Sequence, residues 1–302
     1  MDEFRFQITE ELHDMRIDVC IHELVDTLSR SYIQKLIKDG NVHVNNVIVK
    51  ANYRVKTDDD VLFMLPDAVD PDIQPENIPL SILYEDKDIL IVNKPKGMVV
   101  HPAAGHYSGT LVNAIMYYCK EDLSGINGVM RPGIVHRIDM DTTGSLIICK
   151  NDETHNAIAL QLKDHSITRK YRAICYGVIK EEEGTVNAPI GRHPTDRKKM
   201  STQSAHGKDA ITHYKVLKRF DKYTYIECQL ETGRTHQIRV HMASIGYTLL
   251  GDEVYANRKC PFHLQGQTLH AMTIGFIHPK TEQYMEVEAP LPEYFLHLLN
   301  TL

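Results

Sequence analysis

No apolar run in the 302-residue sequence approaches the ~18 residues that cross a bilayer. The opening segment, MDEFRFQITEEL, is acidic where a secretory leader would be basic and then greasy. These absences predict a cytoplasmic protein with no membrane partner. No C-x-x-C pair occurs among the six scattered cysteines, and several lie inside apolar runs such as LIIC and RAIC. They read as small core residues in a reducing compartment, against a disulfide or zinc framework. Positive charge is also short. With 34 Lys and Arg against 40 Asp and Glu, the formal charge of -6 argues against a protein coated in nucleic acid, though not against a local basic groove. Walker and G-x-G-x-x-G loops are missing, and GHYSG puts Ser108 one place too late for a nucleophile elbow. Of the seventeen histidines, His236 and His241 lie closest to a ligand pair, but a spacing of five falls between helical turns and no carboxylate cluster completes a site. No metal and no other cofactor is therefore predicted.

The length suits about two domains. Segment 66–79, PDAVDPDIQPENIP, carries four prolines and four acids with little to pack, which predicts a stiff linker between domains at 14–65 and 80–302. In the first domain, Ile17, Ile21, Leu24, Val25 and Leu28 share one helical face; Ser29 then caps a second helix that Gly40 stops. On that helix Ile33, Leu36 and Ile37 face inward, while Arg30, Gln34 and Lys38 form an outward stripe to which Lys35 adds charge. NVHV, Asn45-Asn46 and VIVK then predict a hairpin. This order, with SRSYIQKLIKDGNVHVN, resembles the S-four type of RNA-binding domain, named for a small-subunit ribosomal protein. Because residues 14–65 hold seven Lys and Arg against eight Asp and Glu, the expected RNA binding is weak and confined to one face. Beyond the linker, many strands and few helices alternate without a βαβ rhythm. That predicts an α+β domain on a mostly antiparallel sheet, beside the small N-terminal α/β domain.

Two stretches in the second domain do not read as ordinary structure: RPGIVHRIDMDTTGSLIICKN (131–151) and QLETGRTHQIRVHMASIGY (229–247). The first places Asp139 between apolar neighbours at the entrance of a strongly apolar strand. The second starts a helix near Thr235 that buries Ile238, Met242 and Ile245, with His236 and Arg239 on another face. A salt bridge between Asp139 and an arginine would serve structure as readily as chemistry.

HRIDMDTTG resembles the H-R-L-D-x-x-T-S-G block of RNA pseudouridine synthases of the Rlu large-subunit type. NKPKGMVVHPAAG, GTLVNAI, SGINGVMRPGIVHR, RKYRAICYG, PIGRHPTDRKKM, QLETGRTHQIRVH and GQTLHA extend the likeness in order over residues 80–298. Ile138 and Thr143 depart conservatively from the usual Leu and Ser. The resemblance implies the pseudouridine synthase fold and isomerisation of uridine to pseudouridine without cofactor. It places the catalytic aspartate at Asp139, an ion-pair partner at Arg239 and the active-site tyrosine at Tyr171. Attack on the sugar, addition to the base and glycal formation all require an ionised carboxylate. Burial alone would neutralise it, so an opposing cation is expected. Arg137 corresponds to the residue that fills the stack vacated by a flipped base. Arg192, Arg197, Lys198 and Lys199 form a candidate phosphate clamp, and Arg234 and His236 join the RNA-facing set. The implied partner is RNA, a large-subunit ribosomal stem-loop ahead of transfer RNA, met by a monomer. Competing readings are a catalytically silent RNA-binding or assembly factor, and a carboxylate-based nucleoside or glycoside hydrolase, which would need a second motif acid. Asp141 is expected to be a solvent-facing or loop-capping acid.

Overall fold

The computed structural model describes residues 2–25, 30–65, 73–102, 106–120, 122–125, 132–196 and 198–302, and the backbone alone at 2, 31, 32 and 35. The chain divides into two compact units, Met1–Asp72 and Ile73–Leu302.

The first unit comprises β1 (Asp2–Gln7), α1 (Ile17–Leu24), α2 (Arg30–Lys38), β2 (Val42–Val44), β3 (Val47–Ile48) and β4 (Asp60–Leu65). Its antiparallel sheet runs β1-β4-β2-β3. Asn45 and Asn46, both at positive φ, turn β2 into β3, because a two-residue hairpin needs left-handed backbone that asparagine tolerates. Ile17 and Ile21 of α1 meet Ile33, Leu36 and Ile37 of α2 over Phe63, as the helical spacing requires. Leu28 and Ser29 lie outside the described residues. Strand β1 has no counterpart in the sequence reading. Its alternating Phe4 and Phe6 stack on Phe63 with ring centres 4.9 and 5.9 Å apart.

The stripe of Arg30, Gln34 and Lys38 on α2 is exposed, and two of its members also reach Asp18. Arg30 Nη2 and Gln34 Nε2 donate to Asp18 Oδ2 at 3.3 and 2.6 Å, and Arg16 Nε donates to Asp18 Oδ1 at 3.0 Å. Arg30 is half exposed, whereas the Asp18 side chain has no exposed surface. Two members of the stripe thus fasten α2 to α1. Lys38 is exposed, and the side chain of Lys35 lies outside the described residues.

Of the proline-rich segment, residues 66–72 lie outside the described residues. The remainder is fastened to the second unit: Ile73 is buried in its core, Asn113 Nδ2 donates to the Gln74 carbonyl at 2.8 Å, and the Glu76 carboxylate accepts from Gly109 N–H at 3.0 Å.

The second unit contains β5 (Ile82–Glu85), β6 (Ile89–Lys94), α3 (Leu111–Cys119), β7 (Thr143–Cys149), α4 (Asp152–Lys163), β8 (Thr168–Tyr176), β9 (Glu183–Asn187), β10 (Gly191–Arg192), β11 (Met200–Ser201), β12 (Ile211–Arg219), β13 (Tyr223–Leu230), α5 (Gln237–Ser244), β14 (Leu269–Ile277), β15 (Tyr284–Glu288) and α6 (Glu293–Thr301). Nine strands form one sheet in the order β5-β6-β7-β14-β8-β13-β12-β9, with β15 beside β14. The pairing is antiparallel except between β14 and β7. Strand β14 meets β7 through His270 and Ala271 and meets β15 through Thr273–Ile277, so it changes neighbour halfway along. Gly144 permits the parallel contact: a Cβ there would collide with the Ala271 carbonyl. The fold is α+β on a mostly antiparallel sheet. Alternation along the strands separates two cores. Tyr171, Ala173 and Cys175 of β8 face α3 and α5, while Ile174 and Tyr176 face α6. Five of the six cysteines are buried, consistent with their apolar settings. Among the described residues no helix is long and apolar enough to cross a membrane.

Candidate active site

Asp139 lies four residues before β7, in a loop rather than on a strand. Two residues earlier in the same loop Arg137 is exposed, whereas Asp139 is half buried. A turn follows at once, in which Thr142 N–H donates to the Asp139 carbonyl at 3.1 Å. The loop is clamped from below. Lys94, with no exposed surface, donates from Nζ to the carbonyls of Pro95, Met98 and Met140 at 2.9, 2.8 and 2.9 Å. Gly97 N–H donates to the same Met140 carbonyl at 3.0 Å. Burial pushes the Lys94 pKa down to about 7 against the attraction of Asp141 and Asp139. Three carbonyl acceptors use all three ammonium protons, so the charged form is the one the site holds. N-K-P-K-G in the sequence is the signal for this clamp, but no spacing rule links it to residue 140.

Helix α5 supplies the opposing charge. Arg239, 5% exposed, donates from Nη1 to Asp139 Oδ2 at 2.9 Å. Its other edge is closed by Asp252, which accepts from Nε at 2.7 Å and from Nη2 at 3.0 Å. Asp252 also accepts from the N–H groups of Val254 and Tyr255. Burial alone would lower the Arg239 pKa, but hydrogen bonds and charge from Asp252, then Asp139, drive it upward. Sequence reasoning missed Asp252, because G-D-E-V-Y marks nothing until the fold brings it under α5.

The other oxygen of Asp139 is left open. Among the described residues Oδ1 has no hydrogen-bond partner, and His236 Nε2 stands 3.9 Å from it, too far for a hydrogen bond. His236 sits just before α5 in left-handed conformation, and its Nδ1 hydrogen-bonds Tyr255 Oη at 2.9 Å. Burial lowers its pKa, opposed by Asp139, so the ring is neutral near pH 7. Tyr255 Oη also accepts from Met200 N–H at 2.9 Å, tying β11 to the site. Gln237 braces the turn into α5: it accepts from Thr232 Oγ1 and Arg234 N–H and donates to the Ile211 carbonyl. His241 is a core residue, engaged with Thr212 Oγ1 and the Ala188 carbonyl.

Asp139, Arg137, Tyr171, Arg234, His236 and Arg239 line one narrow pocket of about 50 Å³. All but Arg239 also line a wider cleft of about 510 Å³ that continues past Lys163 and Arg169. Tyr171 is 8% exposed. Burial raises its pKa, Arg169 opposes and Asp139 reinforces, so its hydroxyl stays protonated. Arg192, Lys198 and Lys199 lie on the β10–β11 hairpin, away from this pocket's lining, and Arg197 lies outside the described residues. Asp141 does not face solvent freely. It is half buried against Gly266, one carboxylate oxygen is buried without a hydrogen bond, and burial raises its pKa against Lys96 and Lys94.

The arrangement is a carboxylate with one anchored and one free oxygen, in a pocket shared with a buried tyrosine, at the end of a cationic cleft. The family model described as RNA pseudouridylate synthase matches residues 88–244, and that of the S4 domain matches residues 15–61. An uncharacterised RNA pseudouridine synthase of Bacillus subtilis is 50% identical over 302 residues, covering 100% of this chain and 99% of that one. The ribosomal large subunit pseudouridine synthase D of Zymomonas mobilis is 45% identical over 296 residues, covering 95% and 93%. Among solved structures, human RNA pseudouridylate synthase domain containing 1 superposes with a TM-score of 0.58 at 25% identity, covering 76% of this chain and 87% of that one.

Proposed function

The chain belongs to the RNA pseudouridylate synthase family, and we propose that it isomerises uridine in large-subunit ribosomal RNA with Asp139 as the catalytic group. The enzyme class follows from the family. Support for the RNA class comes from relatives that carry the large-subunit name at 40–45% identity along nearly the whole chain.

The observation that carries the reading is the unequal treatment of the two Asp139 oxygens. Oδ2 accepts from Arg239, while Oδ1 has no hydrogen-bond partner among the described residues, and the residue lines the pocket. A target uridine leaves its stack at a cost of a few kcal/mol, smallest in a loop. Exposed Arg137, at the rim, takes the vacated space with its planar guanidinium. The uracil then lies against Tyr171, in the pocket that Leu230 and Leu269 also line.

Breaking the bond between C1′ and N1, rotating the ring and joining C1′ to C5 leaves one proton to lose at C5 and one to gain at N1. The product is an isomer of the substrate, so the site needs no oxidant and no second reactant. Because the Tyr171 hydroxyl stays protonated, it acts as a hydrogen-bonded relay for the C5 proton rather than as a phenolate base. The test is to map pseudouridines in RNA from cells with and without the gene, and in unmodified transcripts treated with the pure protein. Loss and restoration of the same large-subunit positions is the expected result. Restoration in transfer RNA alone would move the substrate, and restoration nowhere would overturn the reading.

A further inference from the structure

Arg169 stands on β8 two residues before Tyr171, in the cleft that leads away from Asp139. It is 7% exposed, yet no carboxylate among the described residues pairs with it. Nη2 donates to the Glu231 carbonyl at 2.9 Å, whereas Nε is buried with no hydrogen-bond partner. Arginine cannot shed its proton in a protein, so this is a buried charge without a counterion, an arrangement that folding alone disfavours.

Its surroundings select an anion. Arg137, Lys163 and Arg234 line the same cleft, and its acid, Asp139, is already engaged by Arg239. His136, also in the lining, is neutral: Nε2 accepts from Ile147 N–H at 3.0 Å, which leaves its proton on Nδ1. Gly233 clears the space beside the guanidinium, for a Cβ there would stand 2.6 Å from Arg169 Nη1. Residues two apart on a strand share a face about 6–7 Å apart. A base against Tyr171 therefore carries its own backbone to the level of Arg169.

We propose that Arg169 is a phosphate-binding residue that takes the phosphodiester next to the flipped uridine, its forked donors matching two phosphate oxygens. The proposal rests on the reading that RNA is modified at Asp139. It assigns a ligand to a charge that the fold leaves unpaired.

The test uses the full chain and an unmodified large-subunit RNA fragment that the wild type converts. Affinity is measured against salt, with a neutral methylphosphonate placed in turn at each linkage flanking the target. Arg169→Gln is expected to bind about tenfold more weakly. Its salt slope should be shallower by about 0.7–0.9, the contribution of one phosphate. One neutral linkage should weaken the wild type and leave Arg169→Gln unchanged. Arg169→Lys should recover part of the loss, and Gly233→Ala, which keeps the charge but displaces it, should weaken binding in the same direction. Should Arg169→Gln fail to fold, Gly233→Ala and the linkage scan on the wild type carry the test. An unchanged slope, or no linkage that distinguishes the variants from the wild type, would make Arg169 a structural cation only. A wild type that converts no RNA overturns the underlying reading instead, and shows it by a separate readout, pseudouridine itself.

Discussion

Asp18 and Asp139, one in each unit, are both carboxylates met by arginine, and they end in opposite states. Asp18 is saturated: Arg16, Arg30 and Gln34 occupy both oxygens, and its bonds join α1 to α2. Asp139 receives one guanidinium nitrogen on one oxygen, because Arg239 gives its better edge to Asp252. Saturation makes a strut, whereas sharing makes a carboxylate that is fixed and still has a free oxygen. Asp252 sets this division, since without it Arg239 could turn both nitrogens onto Asp139.

Breaking that division should have the largest effect. Asp252→Ala leaves Arg239 buried with half its partners, which costs about 3–5 kcal/mol, read as a lower melting temperature of the second unit together with lost pseudouridine formation. A variant that melts like the wild type and turns over normally would show that Asp252 is not the divider. The corresponding cut in the first unit is milder because its arginines are half exposed. Asp18→Asn should cost about 2 kcal/mol, confined to the first unit's unfolding transition. Burial would raise the Asp18 pKa, but the bonds from Arg16, Gln34 and Arg30 hold it below the ordinary 3.8. Its stabilisation is therefore present above that value and drains away as pH falls through the window beneath it, a slope that Asp18→Asn should lack.

Tyr255→Phe removes one hydroxyl that accepts from Met200 and holds His236. It should cost about 1 kcal/mol and, with the hairpin and His236 proposed to meet the RNA, raise KM more than it lowers kcat. Smallest is Asp141→Asn, expected to change stability by less than about 1 kcal/mol, because the buried Asp141 oxygen makes no bond to lose. A large loss of turnover there would show that the second acid shares the chemistry of the first.

Periodicity made much of this fold legible. The 3.6-residue spacing located α1, α2 and α5, and the mix of many strands with few helices located the antiparallel sheet, on which Tyr171 shares a face with Ala173 and Cys175. Elements whose partners lie far along the chain were not legible: β9 and β1 acquire meaning only from β12 and β4, the strands they meet. The same distinction holds in the site. Asp139, Tyr171 and Arg239 sit in contiguous motifs. Lys94 and Asp252 act on residues 46 and 13 positions away through backbone and buried contacts that no local pattern encodes. Charge patterning located the exposed stripe of Arg30 and Gln34 but not its bonds to Asp18, twelve and sixteen residues earlier.

The central claim is that the open oxygen of Asp139 performs the chemistry while the rest of the site binds and holds. Asp139→Asn keeps the shape and removes the charge, and tritium placed at C5 of uridine reaches water only when C5 is joined to the sugar. The most direct measurement follows tritium release and RNA affinity together for wild type and Asp139→Asn on the same transcript. The account predicts that release falls by about 10³-fold or more while affinity stays within about threefold. Release at the wild-type rate would contradict it.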